Sequence, residues 1–355
     1  MGPAMAPFRI RHEWADTRFR LVVRYDNGAY CDDTGVERLL NFSAMPEKPT
    51  GRLWKWAKWI LGLILATVFL FLFVAAPLLL SAAVVNRRFQ FRDPLRGKTP
   101  SDLGMPYEEI AFPSPPDLTL RGWYIPGDPG QTAVIFCHGL NRSRVEMLPQ
   151  ARFVHSLGFS AMLFDFRHHG DSTGARTTLG AKEKDDVLAA AAWIRQRRPE
   201  SGVMLWGISM GATSAMLAAR VDREIRGIIS DSSFLSFRDV IDHHFRLFFG
   251  LPPWPIADEV RALMEWRGSF RGDDIDVLQA ARDLGTRPAM FVGQDGDLRV
   301  PPTIARQLFA ASASPVKRLL ILRGERHGHA YADHLEQYQQ AVIEFLNAAG
   351  LIGVQ

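Results

Sequence analysis

The sequence predicts an α/β protein, a mostly parallel sheet flanked by helices on both faces, preceded by one transmembrane helix. Three observations predict it. From Tyr107 onward, short apolar runs alternate with longer stretches of helical periodicity, and that alternation implies a parallel sheet covered on both sides. Some of the short runs, such as TAVIFCHG (132–139), are continuously apolar, as strands buried on both faces require. Ahead of them, ILGLILATVFLFLFVAAPLLLSAAVV (60–85) runs 26 residues without a charge.

In chain order, residues 1–53 form a polar N-terminal region. Within it the β-prone run RFRLVVRY precedes Asn27-Gly28, a pair that suits a hairpin turn. Residues 54–88 hold the membrane helix and its flanks. At about 1.5 Å per residue the uncharged stretch exceeds the ~30 Å of a hydrocarbon core. Trp54, Trp56, Trp59, Lys55 and Lys58 stand at its start and Arg87 and Arg88 at its end, as interfacial anchors do. A signal peptide has a shorter apolar core nearer the N-terminus. Lys48, Arg52, Lys55 and Lys58 before the helix nearly balance Arg87, Arg88, Arg92, Arg96 and Lys98 after it, so charge does not orient it. A signal-anchor reading leans towards the following domain lying outside. Residues 89–106, charged and proline-containing, read as a linker.

Residues 107–355 carry the alternation. Strands are predicted at 108–112 and 118–125, joined by a turn at PSPPD, then at 132–139, 160–166, 202–207, 225–231, 289–293 and 317–322. Helices are predicted at 144–158, 182–198, 210–221, 302–312 and, as one piece, 331–350. Residues 232–288 break the pattern. They are rich in Phe and Trp, with Pro252, Pro253 and Pro255, and suit a small cap with an apolar wall.

Bulk properties exclude several classes. A net charge of +4 over 355 residues, with no block of like charge, gives no footprint for nucleic acid. Cys31 and Cys137 lie on opposite sides of the apolar stretch, which leaves neither a disulfide framework nor a C-x-x-C metal site.

In an open parallel sheet, function gathers at the carboxyl ends of strands. There the sequence places His138-Gly139, RHHGDSTG, Ser209, Asp231, QDGDLRVPP and RGERHGHAY. Ser209 stands in WGISMG (206–211), between an apolar strand and a helix. G-x-S-x-G at such a junction exposes the serine hydroxyl on a sharp turn.

Five of these stretches, in this order, resemble the α/β-hydrolase superfamily of serine hydrolases: CHGLNRSR (137–144), DFRHHGDSTG (165–174), GISMG (207–211), GQDGDLRVPP (293–302) and GERHGH (324–329). Among its members the chain is most similar to single-pass membrane hydrolases, the depalmitoylases and lysophospholipases, which in turn resemble serine aminopeptidases. The resemblance covers Tyr107 to the end and leaves residues 1–106 aside.

It implies an α/β-hydrolase fold and a catalytic triad. Ser209 is the expected nucleophile, with His327 as base and Asp297 orienting it; the backbone N–H groups of Leu140 and Met210 are the expected oxyanion donors. Asp295 and His329 compete for the acid and base roles. The DLRVP spacing selects Asp297, and the distance to Tyr331 selects His327. His168, His169, His243 and His244 read as loop or cap residues rather than metal ligands, and Cys137 as a buried, inert thiol. Asp165 and Arg167 are expected to hold their loop together, and Glu183 and Asp186 to favour the positive end of a helix.

The chemistry expected is cleavage of a carboxylic ester or thioester of a small molecule or acyl lipid, with no metal or organic cofactor. A serine peptidase acting on short peptides and a catalytically silent binding module are the alternatives. The partner expected for residues 60–85 is the lipid bilayer.

Overall fold

The computed structural model describes residues 8–15, 18–25, 51–86 and 95–352. Two compact units divide at Leu63/Ile64. In the first, β1 (Phe8–Ala15) and β2 (Arg18–Tyr25) pair antiparallel with Ala15 opposite Arg18. The β-prone run thus pairs with the segment before it, and the Asn27-Gly28 turn expected after it lies outside the described residues.

One helix among the described residues, Gly51–Val85, is long and apolar enough to cross a membrane. It consists of α1 (Gly51–Leu70), a wider π-turn over Phe71–Ala75, and α2 (Ala76–Val85). Pro77 accounts for the wide turn. It has no N–H to give, and its ring would collide with the carbonyl four residues back.

The second unit is built on an eight-stranded sheet. Its strands are β3 (Glu108–Ser114), β4 (Leu118–Ile125), β5 (Ala133–Cys137), β6 (Ser160–Phe164), β7 (Val203–Ile208), β8 (Ile225–Asp231), β9 (Ala289–Gln294) and β10 (Lys317–Leu322). Their spatial order is β10-β9-β8-β7-β5-β6-β4-β3. The β3–β4 and β4–β6 pairs are antiparallel; every other pair is parallel. The chain runs outward from β5 to β6 and then returns to β7 on the other side. The order reverses between β5 and β7, where an open α/β sheet forms its binding crevice.

Side chains alternate between two cores. Ile135 of β5 joins one, and its neighbours Val134 and Phe136 the other. The first core packs under α4 (Glu183–Arg197), α5 (Met210–Val221), α8 (Val277–Asp283) and α9 (Pro302–Ala311). The second packs under α3 (Leu148–Ser156) and α11 (Leu335–Ala348), where Trp206 stacks on Tyr338 with ring centroids 5.7 Å apart.

Four sequence expectations change. The helix predicted from residue 144 begins with a 3-10 turn, Arg144–Met147, and becomes α-helical at Leu148; Pro149, lacking an N–H, suits the first helical turn. The single C-terminal helix is broken into α10 (Ala330–Asp333) and α11 at His334, whose ψ is 51° and whose Nε2 donates to Arg323 O (2.6 Å). Within 232–288 only α6 (Phe237–Phe249) and α7 (Ile256–Gly268) lie apart from the sheet layers, because α8 packs against α5 and α9. Finally, the described part of the expected linker joins the domain: Pro100–Leu103 form a 3-10 turn, and Met105 is buried in the second core.

Candidate active site

Ser209 links β7 to α5 with φ 55° and ψ −120°, a left-handed conformation that costs a non-glycine residue energy. Its N–H donates to Asp231 O (2.8 Å), holding the turn to the next strand. The flanking glycines are steric requirements. A Cβ on Gly211 would stand 2.0 Å from the Cys137 carbonyl oxygen, and one on Gly207 would stand 2.5 Å from Ala212 N. Both obstacles are backbone and cannot swing aside. Gly211→Ala should therefore destabilise the fold by about 3 kcal/mol, the upper end of overpacking costs. A lowered urea midpoint at unchanged slope would show it, and an unchanged midpoint would refute the close approach.

Three of the sequence-predicted residues meet at the carboxyl edge of the sheet. His327 Nε2 lies 2.9 Å from Ser209 Oγ, and its Nδ1 lies 2.7 Å from Asp297 Oδ2. With Nδ1–H donating to the carboxylate, Nε2 is left to accept the serine proton. Asp297 is buried, and its Oδ1 accepts the N–H groups of Arg299 (2.8 Å) and Val300 (3.0 Å). Burial pushes its pKa up, but His327 and those two N–H groups outweigh burial and hold it below the usual carboxylate range.

The competing residues stand elsewhere. Asp295 is exposed and accepts from Gly324 N–H (3.0 Å), bracing the histidine loop. His329 lines a neighbouring cavity, and burial, with Arg326 nearby, depresses its pKa.

The expected oxyanion donors are free. Neither Leu140 N–H nor Met210 N–H has an acceptor among the described residues. Leu140 follows β5 and Met210 follows β7, so the two donors flank the switch point. A Cβ on Gly139 would lie 3.7 Å from Ser209 Cβ, which measures how closely the turn approaches the serine.

A buried network holds that turn. Glu146 Oε2 accepts Gly139 N–H (2.7 Å), and its Oε1 pairs with Arg142 Nε (3.2 Å). His138 donates to Gly139 O (2.8 Å) and accepts Phe166 N–H (3.1 Å); His169 accepts Asn141 N–H (3.2 Å) and donates to Arg167 O (2.9 Å). Both rings thus spend both nitrogens on backbone. Burial, with His169 beside it, pushes the His138 pKa far down, keeping that ring neutral. Asp165 accepts Arg144 N–H (2.7 Å) and pairs with its guanidinium (3.2 Å).

Glu183 and Asp186 do more than face a helix dipole. Glu183 takes the hydroxyls of Thr177 and Thr178 and the N–H groups of Thr178 and Gly180. Asp186 is fully buried, paired with Arg167 (2.8 Å) and accepting from Ser114 Oγ (2.6 Å). Asp231, also buried, accepts from Tyr338 OH (3.0 Å) and Ser232 Oγ (2.8 Å), and burial raises its pKa. Burial likewise raises the Cys137 thiol far above its ordinary value.

A pocket of about 150 Å³ opens at Ser209, lined by Leu140, Arg142, Arg299 and His327 among others. Ile208, Gly328, Arg142 and Glu146 also line a second, largely apolar cavity of about 330 Å³, bounded by Val145, Pro149, Tyr331 and Leu335.

Comparison with known proteins agrees with this architecture. The family described as serine aminopeptidase, S33, matches residues 128–258. The esterase Pf2001 of Pyrococcus furiosus superposes with a TM-score of 0.61 at 25% identity, over 74% of this chain and 98% of that one. The chain has the α/β-hydrolase fold. The chain is also 26% identical over 245 residues to the uncharacterized protein YqkD of Bacillus subtilis, covering 68% of this chain and 80% of the relative. An uncharacterized membrane protein of Saccharomyces cerevisiae is 26% identical over 256 residues, covering 72% and 84%.

Proposed function

We propose that the protein is a membrane-anchored serine hydrolase that cleaves carboxylic esters or thioesters through an acyl-enzyme on Ser209. The observation that carries this reading is His327, bridged by hydrogen bonds between Ser209 Oγ and a buried Asp297. Ser209 Oγ attacks the carbonyl carbon as His327 Nε2 takes its proton, and Asp297 stabilises the imidazolium. The tetrahedral oxyanion falls between the N–H groups of Leu140 and Met210. His327 then returns the proton to the departing alcohol or thiol, and water attacks the acyl-enzyme by the same route. The apolar cavity beside Ser209 suits an acyl chain. The similarity to a Pyrococcus furiosus esterase supports ester chemistry. Anchoring is supported by the Gly51–Val85 helix and by the yeast relative described as a membrane protein.

The aminopeptidase description of the matching family favours a second reading, in which the same residues cleave aminoacyl amides. The purified full chain, offered p-nitrophenyl esters of graded acyl length, an acyl thioester and aminoacyl p-nitroanilides, separates the two. Esters and thioesters should be cleaved with kcat/KM at least about tenfold above the anilides, unaffected by EDTA. Preference for the anilides would transfer the protein to the peptidases. Inhibition by EDTA, reversed by zinc, would contradict the metal-free mechanism.

A further inference from the structure

The exit half of the apolar helix does not stand free. Pro77, Ser81 and Val85, four residues apart on one face, are buried, and α2 packs along α7 of the cap. Val85 shares a core with Val260 and Met264 of α7, and Arg267 Nε donates to Ser81 Oγ (3.2 Å). The wide turn Phe71–Ala75 also touches α7. Ser81 meets the last turn of α7, so the earlier residues 71–75 meet its earlier turns, and the two helices run side by side in one direction. The N-terminal end of α7, and the α6–α7 connection before it, therefore lie level with residues 71–75, midway along the uncharged stretch 60–85.

That connection is where the cap's exposed apolar side chains gather. LFFGLPPWPIA (247–257) carries no charge, and Phe248 (62% exposed), Phe249, Leu251 and Trp254 (76% exposed) all face outward. Single exposed apolar residues are ordinary, but four within seven residues form a patch. The helix adds exposed apolar side chains at the same level, Phe71 and Val74. Trp266, 72% exposed, lies beside the Arg267–Ser81 contact at the other end of α7. Only residues 60–70 of the uncharged stretch precede this level, about 17 Å of the ~30 Å hydrocarbon core, because Arg52, Lys55 and Lys58 stay at the entry interface. The tip thus lies at a depth where the uncharged helix is still flanked by hydrocarbon.

We propose that the tip of the cap, Phe248–Trp254, inserts into the same bilayer that the helix crosses. The occupant of the exposed patch is lipid, and the anchor and the cap grip one leaflet together. This rests on the membrane-anchoring reading above, and it adds a second insertion point from a part of the chain remote in sequence.

The test uses the full chain carrying Cys31→Ser, since Cys137 is buried and poorly reactive. Phe249→Cys, and separately Leu251→Cys, are labelled with an NBD fluorophore and reconstituted into vesicles of phosphatidylcholine and phosphatidylglycerol. The same label at Gln340→Cys, exposed on α11 over the other face of the sheet, is the control. At 249 and 251 the emission should shift to the blue and fall about twofold when chain-brominated phosphatidylcholine is included, while the label at 340 stays water-like and unquenched. A water-like label at 249 and 251, on protein that still floats with the vesicles through alkaline carbonate, overturns the proposal and leaves anchoring intact. A blue-shifted label that brominated lipid does not quench means a protein partner covers the patch, which also overturns it. Protein that fails to float overturns anchoring and the cap insertion together.

Discussion

Ser209→Ala and His327→Ala should each lower kcat on a cleaved ester by a factor on the order of 10⁴–10⁶, with the fold intact. In the proposed mechanism the serine supplies the bond-forming oxygen, and without a base at 2.9 Å its hydroxyl is a weak nucleophile. Because the two act in one step, the double substitution should be barely worse than either single one. Asp297→Asn should cost about 10⁴, since an amide in that position no longer enforces the tautomer that leaves Nε2 free to accept. His329→Ala and Asp295→Asn should stay within about tenfold of the parent, because the structure places neither at Ser209. Steady-state kinetics on one chromogenic ester compares all six variants with the parent. Loss of activity in His329→Ala with retention in His327→Ala would reverse the assignment of the base.

The largest stability loss away from the site should come from Asp186→Ala. Asp186 and Arg167 are both buried, and the carboxylate meets the guanidinium at 2.8 and 3.0 Å while also accepting from Ser114 Oγ and Arg167 N–H. Removing it strands a charge that cannot lose its proton, at a cost of about 3–5 kcal/mol. Replacing both partners with apolar side chains of similar volume, Arg167→Met with Asp186→Leu, should recover much of that loss, because the pair's Coulomb attraction largely offsets its own desolvation. Urea denaturation of the two variants measures the difference. Equal instability of the single and the double would show that the loop depends on the ion pair itself.

Much of this was legible in the sequence for a physical reason. A strand buried on both faces must be apolar throughout, so TAVIFC, SAMLF and GVMLW announced the centre of the sheet, and their carboxyl ends announced the site. Ser209 could be placed because it follows such a strand directly; Asp297 and His327 lie three and five residues beyond β9 and the half-buried edge strand β10, and only the spacing of the resembled family separated them from Asp295 and His329. The supporting shell was legible only in part: Asp165 and Arg167 were expected to hold their loop, but their partners Arg144 and Asp186 were not assigned to them. Glu146 reaches back seven residues to one backbone N–H of Gly139, and Asp186 reaches nineteen residues to Arg167; neither contact leaves a periodic trace. The break at His334 arises from a tertiary hydrogen bond to Arg323 O in an otherwise helix-prone run. Packing of α2 against α7 joins segments nearly two hundred residues apart, and composition alone does not report it.

The central claim is that Ser209 is an activated nucleophile. A fluorophosphonate probe tests it most directly, because it bonds to a serine oxygen only where a base has made that oxygen nucleophilic. Intact-mass spectrometry of the treated full chain should show one adduct, peptide mapping should place it on Ser209, and both Ser209→Ala and His327→Ala should abolish it. A folded wild-type protein that takes no label, or one labelled on another residue, would contradict the account.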